Sequence, residues 1–324
     1  MIRKLEAQDR ADIFVPHEFA EHTVDLGEIQ MNYVAEGDSE SPALLLIPGQ
    51  SESWWGYEEA IPLLTPHFQV FAVDLRGQGS STWTPGRYTF DNYGNDLVRF
   101  IDLVIKRPAL VAGNSSGGLL AAWLAAYAKP GQVTAAYLED PPLFAAEISP
   151  ACGPNIRQQA VGAILVSRAK WLGDQWSIGD WRGWLKALPR ELPEPLKPNV
   201  DAMLQFLNVG EDDEDPPQHL KEYDPELARS IVEGRFFVGS DHETLLANIR
   251  VPVLLSHHFR TLDPASGYLS GALADIQAQR ARELVEAAGQ SFTYKDFPDA
   301  AHGMHAADPE LYARTVIGWG CSNS

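Results

Sequence analysis

Cysteine is scarce: Cys152 and Cys321 are the two in 324 residues. Two cysteines build no disulfide framework, and so low a count suits a reducing compartment. Basic residues are also in deficit. Lys and Arg number 25 against 44 Asp and Glu, for a net charge of −19 at pH 7. Such a surface repels phosphate backbones and anionic lipid heads, so neither nucleic acid nor membrane is an expected partner. Part of the acidity is local, in Glu211-Asp212-Asp213-Glu214-Asp215. That run reads as a solvated loop, because the ligand-and-glycine spacing of a calcium loop is missing. No apolar run approaches the ~20 residues that span a bilayer. The opening Met1-Ile2-Arg3-Lys4-Leu5-Glu6 turns acidic at once and has no apolar signal region. The expected location is cytoplasmic. No repeat with a period of about 20–50 residues is visible. A homodimer is a base-rate expectation only.

What the chain does have is a large apolar fraction, 45%. A chain of this length can bury a sizeable core and fits one α/β domain with an insertion. His22–Leu26 and Gln30–Ala35 read as an opening hairpin. The apolar runs Ala43–Ile47, Gln69–Val73 and Ala109–Ala112 read as strands covered on both faces. Asn92–Val104 and Gly118–Ala128 read as helices, and Val133–Leu138, Val251–Ser256 and Ser291–Tyr294 as further strands. Asp308-Pro309 suits a helix start, with Asp as cap and Pro in the first turn. Between about 143 and 248 the pattern turns helical, rich in Trp, with Pro189, Pro193, Pro195 and Pro198 at its joints. The expected organisation is a mainly parallel α/β core, residues 1–142 and 249–324, with a mostly helical cap at 143–248.

The chemistry centres on Gly113-Asn114-Ser115-Ser116-Gly117. G-x-S-x-G alone is a weak pattern. Between an apolar strand and a helix it becomes specific, because a sharp strand-to-helix turn pushes the middle serine out at the top of a sheet. Ser115 is the expected nucleophile, beside helix amides that favour developing negative charge. Ser116 supplies one oxyanion amide. The second is assigned to Gln50, in the Pro48-Gly49-Gln50-Ser51 loop after the first buried strand.

A general base should arrive late in the chain. His302, in Asp299-Ala300-Ala301-His302-Gly303-Met304-His305, is preferred to His305. The two histidines lack a third ligand nearby, so no metal is expected, and no organic cofactor either. The orienting acid has three candidates. Asp140 follows the Val133–Leu138 strand directly, Glu139 precedes it, and Asp263 lies after the Val251–Ser256 strand. Asp140 is preferred. Trp171, Trp176, Trp181 and Trp184 crowd one short stretch. Trp176, Trp181 and Trp184 are the candidates for an apolar substrate wall, although packing of cap on core explains most of such a cluster.

These residues resemble the α/β-hydrolases. The segment Val73-Asp74-Leu75-Arg76-Gly77-Gln78-Gly79-Ser80-Ser81 is similar to the D-x-R-G-x-G-x-S run common there. A narrower resemblance is to bacterial zearalenone lactonases. It is carried by Phe90-Asp91-Asn92-Tyr93-Gly94-Asn95-Asp96-Leu97-Val98-Arg99-Phe100, by Gly113 to Leu120, and by the cap run Leu172 to Trp181. The cap run is the most informative, since caps vary between activities while cores do not. The resemblance implies an α/β-hydrolase fold, a small-molecule lactone or ester as substrate, and ring opening through Ser115. In related fungal lactonases the acid follows the equivalent strand, which implies Asp140, although that pattern has Glu there.

Overall fold

The computed structural model describes residues 14–158, 161–171, 181–191, 216–238 and 240–323. Its centre is an eight-stranded sheet. In chain order the strands are β1 (His22–Asp25), β2 (Gln30–Glu36), β3 (Ala43–Ile47), β4 (Gln69–Val73), β5 (Ala109–Asn114), β6 (Val133–Glu139), β8 (Val253–His257) and β11 (Phe292–Asp296). They lie side by side as β1-β2-β4-β3-β5-β6-β8-β11. β1 pairs antiparallel with β2, and β2 with β4; every later pairing is parallel. The fold is that of an α/β-hydrolase, with the short β7 (Arg157–Gln158), β9 (Thr261–Leu262) and β10 (Tyr268–Ser270) forming a second small sheet.

The ALLLI run is apolar throughout because both of its faces are covered. Ala43, Leu45 and Ile47 enter one buried cluster, and Leu44 and Leu46 enter the other. Successive strand side chains alternate faces, so a strand in the middle layer needs apolar residues at every position. Helices Phe90–Phe100 and Ser116–Tyr127 cover the first face; Ile61–Leu64 and Pro309–Gly320 cover the second. Asp308 caps the last helix, accepting from the Leu311 amide at 2.9 Å. Phe90–Phe100 does not run on as one regular helix to Val104. It passes into a π turn, Ile101–Ile105, closed by Lys106 at φ 60°.

Parallel pairing sets all the strand C-termini on one edge. The register couples Ile47 to Gly113, Asn114 to Glu139, and Glu139 to Ser256. The loops that follow carry Gln50, Ser115, Asp140, His258 and His302. Ligands of open α/β sheets bind at this edge.

In the described part of 143–248 the chain forms helices Val161–Trp171, Trp181–Glu191, Gln218–Lys221, Pro225–Val232 and His242–Ala247. Asp224 caps Pro225–Val232, accepting from the Glu226 amide at 2.9 Å, with Pro225 in the first turn. Trp184 is wholly enclosed, its indole N–H donating to Ser167 Oγ at 2.8 Å. It ties helix Trp181–Glu191 to helix Val161–Trp171. Trp184→Ala is expected to destabilise the protein by about 3–5 kcal/mol through the cavity it leaves, read as a lower denaturant midpoint. A change under 1 kcal/mol would contradict this packing role. Among the described residues no helix is long and apolar enough to cross a membrane.

Candidate active site

The elbow explains its own sequence. Ser115 sits at φ 54° and ψ −120°, a conformation that disfavours any side chain. Holding it costs about 1–3 kcal/mol, which the surrounding structure must supply. The Ser115 amide donates to the Glu139 carbonyl at 2.9 Å, anchoring the turn to β6. The flanking glycines are steric requirements. A Cβ on Gly113 would lie 2.1 Å from the Gly117 carbonyl oxygen, and one on Gly117 would lie 2.2 Å from that of Ile47. Ser115 and Ser116 remain partly exposed while Asn114 and Gly117 are buried.

His302 meets Asp140. Its Nδ1 lies 2.6 Å from Asp140 Oδ2. A carboxylate only accepts, so Nδ1 carries the proton and Nε2 is left with a lone pair when the ring is neutral. Asp140 Oδ1 accepts from the His258 amide at 3.1 Å, so both carboxylate oxygens are engaged. Burial opposes the charge on His302, but the Asp140 carboxylate outweighs it and holds the ring above the ordinary imidazole range. Burial likewise opposes the Asp140 charge, and the His302 and His258 contacts outweigh that too, holding its carboxyl below the ordinary range.

The other candidate acids are occupied elsewhere. Glu139 takes His305, whose Nδ1 lies 3.0 Å from Oε2 and whose amide donates to Oε1 at 3.0 Å. This second carboxylate–histidine pair is fully buried, with the His305 ring packed 4.2 Å from that of Tyr57. Asp263 stands exposed, its carboxylate accepting from Ala265 and Ser266 in its own turn. The structure thus brings Asp140 to His302 and Glu139 to His305, and leaves the Asp263 carboxylate in its own turn.

Two supports of the His302 loop were not legible in the sequence. Asn114 Nδ2 donates to the His302 carbonyl at 2.9 Å, and His258 Nδ1 donates to the Ala301 carbonyl at 2.8 Å. The residue just before Ser115 thus clamps the loop that bears His302.

The Gln50 loop is held from both sides. Gly49 N–H donates to Glu52 Oε2 at 2.8 Å and Ser51 N–H to Gln78 Oε1 at 2.7 Å. Gln78 Nε2 donates back to the Gly49 and Glu52 carbonyls at 3.1 and 3.2 Å. The Gln50 amide between them donates to no acceptor among the described residues. The Ser116 amide opens a helix and has no intrahelical acceptor. The Gln50 side chain donates to Tyr223 Oη at 2.8 Å, linking the loop to the 143–248 stretch.

Of the three tryptophans, Trp176 falls outside the described residues. Trp181 is 4% exposed, with its ring 4.9 Å from that of Trp184. Trp184 is enclosed in the helix packing described above and presents no free face as a substrate wall. Among the described residues no three His, Cys, Asp or Glu gather as a metal site.

A sharp elbow at the end of a central strand, with a paired histidine from a late loop, invites comparison with known proteins. The model of the alpha/beta hydrolase family matches residues 44–315. The chain belongs to that family. The 3-oxoadipate enol-lactonase 2 of Acinetobacter baylyi is 28% identical over 103 residues, 32% of this chain and 39% of that one. The 2-(acetamidomethylene)succinate hydrolase of Mesorhizobium japonicum is 30% identical over 107 residues, 33% of this chain and 37% of its own. The chain thus spans well under half the length of these curated relatives. The crystal structure of the enol-lactonase from Burkholderia xenovorans LB400 superposes with a TM-score of 0.60 at 17% identity, covering 92% of this chain and 98% of that one. That likeness speaks for the fold.

Proposed function

We propose that this alpha/beta hydrolase is a serine carboxylic-ester hydrolase that opens a macrocyclic lactone of the zearalenone type to a hydroxy acid. The observation that carries the serine-hydrolase part is the 2.6 Å Asp140–His302 pair on the same sheet edge as the strained Ser115 elbow. The lactone part is supported by the sequence runs at 90–100, 113–120 and 172–181, and by an enol-lactonase among the relatives. In this reading residues 1–142 and 249–324 are the core, and 143–248 is the cap that admits the substrate.

The residues divide the work as follows. His302 Nε2, its lone pair fixed by Asp140, takes the Ser115 hydroxyl proton as Oγ bonds to the ester carbon. The amides of Gln50 and Ser116 receive the oxyanion, where loss of one such donor typically costs about 3 kcal/mol. The carbonyl re-forms, the ester C–O bond breaks, and His302 gives its proton to the leaving alkoxide. In a lactone that alcohol stays tethered, so water must outcompete ring closure. Water then attacks the acyl carbon and passes a proton to His302; the acyl bond to Ser115 Oγ breaks, His302 returns that proton to Oγ, and the acid leaves.

The base must be neutral to act. Because Asp140 holds His302 above the ordinary value of 6.5, kcat/KM for a neutral ester should fall as pH drops, with a single inflection above that value. A profile flat from pH 5 to 9 would count against His302 as the base.

The test of substrate class is turnover of zearalenone by the purified protein, followed by chromatography of the product. A ring-opened hydroxy acid, absent with Ser115→Ala, is the expected result. No turnover of zearalenone while simple esters are still cleaved overturns the lactonase reading and leaves a carboxylesterase on the same scaffold.

A further inference from the structure

Arg168 is a buried cation that forms no ion pair among the described residues. It lies on helix Val161–Trp171 and is 4% exposed. Its one hydrogen bond among the described residues is a long one, 3.3 Å from Nη1 to Ser51 Oγ. Its Nε is enclosed and has no acceptor. Among the described residues the titratable groups that feel its charge are Tyr223 and His219, and neither is a carboxylate. Burial holds its pKa below the ordinary arginine range, with Tyr223 working weakly the other way. Burial, and then Arg168 itself, depress His219 to about 3, so that ring is neutral and adds no second cation.

An unpaired buried charge is expensive, and buried guanidinium groups are normally matched by carboxylates. This chain has carboxylates in excess, at 44. Among the described residues none is placed against Arg168. The position explains what the charge is for. Ser51, which it touches, directly follows Gln50, and Gln50 reaches Tyr223, which also feels Arg168. Arg168 therefore stands over the loop that borders the reacting carbonyl.

We infer that the site also accepts anionic esters, a substrate class beside the neutral lactone, with Arg168 receiving a carboxylate carried on their acyl half. The guanidinium offers a planar fork of donors that fits a carboxylate in two bonds. Nε, enclosed and without an acceptor among the described residues, is one donor of such a fork. A substrate carboxylate neutralises the charge on binding and fixes the acyl group beside the Gln50 and Ser116 amides. This inference rests on the hydrolase reading above and not on the lactone assignment, because it adds a second, anionic class of ester to the neutral one.

The test compares two esters of similar length, mono-4-nitrophenyl succinate and 4-nitrophenyl butyrate. In the wild-type protein kcat/KM should favour the anionic ester. Arg168→Met should lower that ratio by about 10- to 100-fold, the range for a lost hydrogen bond to a charged group. Arg168→Lys should keep part of it as a point charge, and serves if the Met variant does not fold. An equal ratio in wild type and variants overturns the inference, because a purely structural arginine moves both esters together. Calorimetric titration with glutarate needs no turnover and keeps the inference testable if Ser115 is not the nucleophile. Binding to wild type and not to Arg168→Met is expected; no binding to wild type overturns it.

Discussion

Ser115→Ala is expected to lower ester and lactone turnover by about a millionfold, the scale seen when a serine nucleophile is removed from a working triad. What remains should be the modest catalysis that binding and oxyanion donors give on their own. The fold should be unaffected, because the elbow is held by the Ser115 amide on the Glu139 carbonyl and by the glycines at 113 and 117, none of which needs the hydroxyl. Alanine meets the same backbone strain as serine at φ 54°, so the unfolding midpoint should hardly move. The neighbouring serine provides the control. Ser116 contributes its amide, which survives in Ser116→Ala, so that variant should stay within roughly tenfold of wild type. A large loss in Ser116→Ala with Ser115→Ala still active would reverse the assignment. Steady-state kinetics on one activated ester checks both.

Asp140→Asn is expected to reduce kcat by about 10⁴-fold with little change in stability. The reason is geometric. The His258 amide donates to Oδ1 at 3.1 Å, so an asparagine keeps its oxygen there and turns its NH₂ toward His302. Two donors cannot share one bond, so His302 Nδ1 must become the acceptor and the proton moves to Nε2. The ring then cannot take the Ser115 proton. Removing the carboxylate also removes what holds His302 above its ordinary range, so the residual activity should titrate at lower pH than in wild type. A loss below about tenfold, with an unmoved pH profile, would place the orienting acid elsewhere.

The parts of this architecture written in local sequence were the readable ones. Ala43–Ile47 and Ala109–Ala112 announce central strands because a strand buried on both faces has no polar position to spare. The elbow announces itself because only glycine fits beside the Ile47 and Gly117 carbonyls. His302 was read as a candidate from its small neighbours and its place after the last strand, and the structure sets its ring against Asp140. Asp140 was preferred over Glu139 and Asp263 from its place just past a strand, but only the folded loops show which carboxylate meets His302. Adjacent Glu139 and Asp140 are both enclosed, yet they serve different histidines, His305 and His302. Contacts between distant segments left no local trace either: Asn114 with the His302 carbonyl, Gln50 with Tyr223, Arg168 with Ser51. The helix Asp275–Ala287 lacked a start signal, because its N-cap is Ala274, which has no side-chain acceptor; its amide instead donates to Gln277 Oε1 at 2.9 Å.

The most direct measurement is covalent labelling. The folded protein is treated with a fluorophosphonate, then digested, and the modified peptide is located by mass spectrometry. A single phosphonyl group on Ser115, formed fast in wild type and slowly in Asp140→Asn, is the expected result. Labelling at Ser116 or at any other residue, or turnover of esters that continues after full modification of Ser115, would contradict the account.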